Sequence, residues 1–152
     1  MSRSSDVIKK LSGKTLSTAE SLTGGGIGFG LTSVSGSSAV YKGGVISYTN
    51  EIKMNVLGVV ADTLEKHGAV SAPVAEEMVH GVRKLMRTDI AVSVTGLAGP
   101  GGDEFGNPVG TVFVGYQDDR NTAVKRFLFA GDREAVRRQT AEAALRLILE
   151  MQ

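Results

Sequence analysis

Three short stretches hold the residue types that acyl chemistry needs: "STAESLTGGG" (17–26), "SYTNEIK" (47–53) and "TGLAGPGG" (95–102). Between them they supply hydroxyls, a lysine, a tyrosine and many unhindered backbone N–H groups. In the first, Ser21 is either a nucleophile or part of an anion cradle. A hydrolase nucleophile elbow places Gly two before and two after its Ser, and those positions hold Ala19 and Thr23. A P-loop brings Gly-Lys-Ser/Thr into a helix, and no lysine stands there. What remains is a strand, a tight turn and glycines at a helix start, which is a generic anion site. Close helix–sheet packing is an equally available use for the same glycines. On this reading Ser21 and Thr23 bind rather than attack, with Gly24 and Gly25 in the turn.

In the second stretch, Asn50 reads as a helix N-cap, which puts Lys53 near N3. The positive helix end and burial both disfavour an ammonium there, so Lys53 is a candidate base; a solvated surface lysine is the plainer alternative. Its nearest hydroxyl partners in sequence are Ser37 and Ser38 in "SVSGSSAVYKGG", without the Ser-x-x-Lys spacing. The glycine-rich loop after Thr95 offers N–H groups for an oxyanion, or is simply a surface loop. His67 and His80 stand alone with no His-Glu-x-x-His pattern, and there is no cysteine. No metal or redox cofactor site is therefore expected. "GDREAVRRQT" (131–140) reads first as a capped helix, with Arg133 or Arg137 facing a phosphate as the lesser reading.

The elements that must position these groups alternate. A helix is expected over 4–11, a strand over 14–20, and a small-residue helix over 24–34 that packs closely. A strand over 41–49 follows, then a helix from Asn50 to Gly58, a helix over 72–86 capped by Ser71, and a strand over 89–95. Strands over 111–117 and 123–130 form a hairpin across "DDRN", and an amphipathic helix runs from Asp132. The pattern implies one domain over 1–152, a three-layer α/β/α sandwich with a mixed, mostly parallel sheet. Ligands of such sheets sit beyond the carboxyl ends of the strands, where the three stretches would meet.

Composition narrows the partners. A net charge of +1, with 5% aromatics and no Trp, argues against nucleic acid as a direct partner. No run is long enough for a membrane span, and the first residues lack a signal-peptide core. A cytoplasmic protein is expected.

"TAESLTGG", "GSSAVYKGGVISYTNEIK", "LGV…HGAVS", "SVTGLAGPGG", "PVGTVF" and "GDREAVRRQ" occur in that order along nearly the whole chain. In these motifs the chain resembles the competence/damage-inducible CinA C-terminal domain family, whose active members are nicotinamide mononucleotide amidohydrolases. Leu22 stands where the common motif has Cys. Two-domain members add a molybdopterin-binding-like domain in front, so a stand-alone form is expected here. The resemblance implies an anticodon-binding-domain-like α/β/α fold and a metal-free serine amidohydrolase with no cofactor. It implies Ser38 as nucleophile, Lys53 as base and Tyr48 assisting, with Ser21 in the same site and Thr95 at the oxyanion hole. Thr23, Gly24, Gly25, Gly96, Gly99 and Arg137 would bind substrate, and a homo-oligomer is expected. The rival expectation is a catalytically silent nucleotide- or phosphosugar-binding module.

Overall fold

A computed structural model describes residues 2–152. Helix α1 (Arg3–Lys10) precedes strand β1 (Leu16–Glu20) and helix α2 (Gly26–Thr32). A 3-10 turn (Ser37–Ala39) leads into β2 (Tyr41–Ile46), followed by α3 (Asn50–Leu57), α4 (Ala61–His67) and α5 (Ala72–Met86). The chain then lays down β3 (Ile90–Gly96), β4 (Thr111–Gln117), β5 (Thr122–Leu128) and α6 (Arg133–Glu150).

The five strands lie in the order β2-β1-β3-β4-β5. Pairing is parallel across β2-β1-β3 and antiparallel across β3-β4-β5. The sheet is therefore half parallel rather than mostly so. The antiparallel half comes from the β4–β5 hairpin, whose turn is closed by Asp118 accepting from the N–H groups of Arg120 and Asn121.

Alternation along the strands feeds two cores. Leu16, Ile90, Val92, Val94, Val112 and Val114 face one layer with Val7 and Leu11 of α1, Ile27 and Leu31 of α2, and Val136, Leu147 and Ile148 of α6. Ala19 and Ala91 face the other, against Leu57, Leu64, Val74, Met78, Val79 and Val82 of α3, α4 and α5. The result is the three-layer α/β/α sandwich. Small residues let α5 lie close on the sheet: a Cβ on Gly115 of β4 would stand 2.9 Å from the Ala75 carbonyl oxygen. No helix among the described residues is long and apolar enough to cross a membrane.

Candidate active site

Where β1 ends, the chain turns over Ser21–Gly25 into α2. Gly24 and Gly25 adopt φ of 58° and 101°, a region glycine enters without Cβ strain. The turn is held from within. Glu20, only 2% exposed, accepts at Oε1 from Thr23 Oγ1 (2.6 Å), Gly25 N–H (3.1 Å) and Ile27 N–H (3.0 Å). Its Oε2 accepts from Gly28 N–H (3.0 Å). The chain's own carboxylate thus fills the anion site expected at these glycines. Thr23, Gly24 and Gly25 form the turn, and Thr23's hydroxyl donates to Glu20.

Beyond β2, Thr49 rather than Asn50 is the N-cap of α3, its hydroxyl accepting from Ile52 N–H. Lys53 is accordingly the fourth residue of the helix and points inward. The side chain is 1% exposed. Its Nζ donates to Ser21 Oγ (3.0 Å), to the Ser47 carbonyl (2.7 Å) and, more weakly, to the Tyr48 carbonyl (3.4 Å). The loop that receives it is tied to β1, because Ser47 donates to the Glu20 carbonyl from N–H (2.7 Å) and from Oγ (3.1 Å). No carboxylate pairs with the buried amine among the described residues. Loss of hydration lowers its pKa from 10.5 to about 8.

Ser38 does not share this place. It sits on the 3-10 turn before β2, exposed, with its carbonyl accepting from Lys42 Nζ (2.9 Å). Lys53 enters past the far end of the same strand. Five steps of strand separate the two edges, roughly 17 Å, so within this chain Ser38 and Lys53 are not brought together. The hydroxyl that Lys53 meets is Ser21.

Tyr48 contributes its carbonyl to Lys53, while its side chain, 59% exposed, leaves the pair. Its hydroxyl accepts from Arg133 Nη2 (3.0 Å), and Arg133 Nη1 donates to the Gly99 carbonyl (2.7 Å). Arg137, one turn on, donates from Nε to the Leu22 carbonyl (2.9 Å). The amino end of α6 thereby reaches the loops after β1, β2 and β3. Thr95 is 1% exposed and its hydroxyl donates to the Ala69 carbonyl (2.8 Å). Gly96 is required for packing, since a Cβ there would meet Val112 Cγ2 at 2.7 Å.

Sequence reasoning missed Glu20 and Ser47. An acid directly before a glycine turn and helix start was the available signal, because a carboxylate suits the positive helix end. Among the described residues, the exposed His80 meets only the half-buried Gln117 (3.3 Å). Among the described residues no group of three or more His, Cys, Asp or Glu is placed to hold a metal ion.

The family model for the CinA C-terminal domain matches residues 2–152. A nicotinamide-nucleotide amidohydrolase, PncC, of Escherichia coli K12 is 45% identical over 91% of this chain and 85% of its own length. A CinA-like protein of Sulfurihydrogenibium is 46% identical over 89% of this chain, which spans only 34% of that longer protein. Among solved structures, the competence damage-inducible protein A of Klebsiella pneumoniae superposes with a TM-score of 0.95 at 40% identity, covering 97% of this chain and 93% of that one. A CinA superfamily protein of E. coli gives 0.96 at 32% identity, over 99% and 88%. The chain belongs to the CinA C-terminal domain family.

Proposed function

We propose that the chain is an amidohydrolase that cleaves the carboxamide of a nicotinamide nucleotide, nicotinamide mononucleotide in the first instance, with Ser21 as nucleophile and Lys53 as base. One observation carries the reading: a lysine buried without a counter-ion, its pKa near 8, stands 3.0 Å from a serine hydroxyl at the carboxyl edge of the sheet. A binding module has no use for such a pair. The relative named for this activity supplies the substrate class.

Neutral Lys53 takes the Ser21 hydroxyl proton as Oγ bonds to the carboxamide carbon and the carbonyl electrons move to oxygen. Collapse of the tetrahedral species breaks the C–N bond, and the departing nitrogen takes the proton from Lys53 and leaves as ammonia. Water then gives Lys53 a proton as it attacks the acyl carbon. Release of nicotinate nucleotide returns that proton to Ser21 Oγ. Two groups in the turn suit the oxyanion. The N–H groups of Leu22 and Thr23, next in the chain after Ser21, donate to nothing else among the described residues. Arg133 and Arg137, both held by neutral oxygens, are the cations proposed for the phosphate, since Glu20 already fills the turn. The same reading takes the protein as cytoplasmic and homo-oligomeric, with no direct nucleic-acid partner.

The test is incubation of the purified protein with nicotinamide mononucleotide, assaying ammonia and nicotinate mononucleotide. Ser21→Ala and Lys53→Ala each lower turnover by about a thousandfold or more. Ser38→Ala leaves it within about twofold, as expected for an exposed residue at the other edge of the sheet. Turnover that survives Ser21→Ala and fails with Ser38→Ala would overturn the assignment. Exhaustive chelation leaves activity intact, and loss restored by a divalent ion would contradict the mechanism.

A further inference from the structure

Glu20 is the one deeply buried acid beside the Ser21–Lys53 pair, and the mechanism does not use it. Every partner of its carboxylate is a donor, a set that the ionised form satisfies. The side chain clamps both the turn that carries Ser21 and the first turn of α2, whose own N-cap, Gly25, has no side chain to do so. The main-chain carbonyl of the same residue accepts twice from Ser47, and the Ser47 carbonyl in turn accepts from Lys53 Nζ. One residue therefore fixes both sides of the 3.0 Å Ser21–Lys53 contact.

We propose that Glu20 is a positioning residue for catalysis: its carboxylate, acting as an internal ligand of the α2 amino end, sets Ser21 Oγ against Lys53 Nζ without itself taking part in proton transfer. The assignment of the reaction rests on the amidohydrolase reading above. The positioning itself also has a readout independent of substrate, the rate at which a sulfonyl fluoride sulfonylates Ser21 with loss of fluoride.

Three variants test it. Glu20→Gln keeps the shape and turns an amide N–H toward a donor. Glu20→Asp keeps the charge and withdraws it by one carbon. Thr23→Val removes the hydroxyl donor at nearly constant volume and covers the case in which the Glu20 variants do not fold. In variants whose unfolding transition shows a folded protein, kcat falls by at least about tenfold for either Glu20 variant and about threefold for Thr23→Val. KM stays within twofold, the pH at which kcat/KM reaches half its maximum is unchanged, and Ser21 sulfonylation slows in parallel. Three results would each overturn the proposal: kcat and sulfonylation within twofold of the parent protein in the folded variants, loss confined to KM, or full activity in Glu20→Asp. A parent protein that is sulfonylated at Ser21 yet leaves nicotinamide mononucleotide intact defeats the substrate reading alone, and the sulfonylation arm then decides the role of Glu20. A Ser21 inert to both reagents defeats both.

Discussion

Lys53 acts as a base only in the molecules where its amine is neutral. Burial has brought its pKa from 10.5 to about 8, which makes that fraction about a tenth at pH 7. Catalysis in kcat/KM therefore rises about tenfold from pH 7 and levels off above pH 8 to 9, as the lysine sheds its proton. A profile that is flat from pH 6 to 9 would remove Lys53 from the base role. Lys53→Arg keeps a charge that cannot be lost and is as damaging as Lys53→Ala. The lysine was legible in the sequence as a candidate base because its place in a helix first turn after a strand is a local pattern. Its contact with Ser21 was not, because the two lie 32 residues apart in the chain and Ser38 is nearer in sequence. Strand direction bears on that contact: Ser38 precedes β2 and Lys53 follows it, which sets the two at opposite ends of that strand within this chain.

At the scale of elements, α3 is the part that must not move, since it carries Lys53 to Ser21. It rests on α5 at Gly81, where an added Cβ would run into the Leu57 carbonyl. Gly81→Ala forces the helices apart. It lowers stability by about 1–3 kcal/mol and lowers kcat more than KM, measured by denaturant unfolding and by steady-state kinetics on the same preparation. A variant with unchanged stability would show that α3 can shift freely. Helices α5 and α6 and all five strands follow from periodicity and punctuation, whereas α4 does not. Its cap, Val60, offers no side-chain acceptor; the Val60 N–H and the Thr63 hydroxyl both go to Glu77 on α5, at 2.7 Å each. A seven-residue helix capped from another element leaves little local signature. Ser71 does stand at the N-cap position of α5, but its hydroxyl donates back to the Gly68 carbonyl rather than accepting from the helix.

For the whole molecule, a fold that gathers the carboxyl ends of β1, β2 and β3 around a buried, unpaired amine carries a built-in instability. Below pH 8 both folded and unfolded chains hold the Lys53 proton, and burying that charge costs about 3 kcal/mol for the shift from 10.5 to about 8. Between those values the folded state has released the proton while the unfolded chain still binds it. Stability contributed by this group thus rises with pH across the interval from about 8 to 10.5. Lys53→Met, of similar length and no charge, lacks that dependence. Titrations of the other lysines and tyrosines are common to both proteins and cancel in the comparison. Unfolding free energies measured in denaturant from pH 7 to pH 10.5 should show the parent gaining on Lys53→Met by about 3 kcal/mol over the range. Two parallel curves would mean that the amine keeps an ordinary pKa in the folded state, and the case for Lys53 as the base would fall with it.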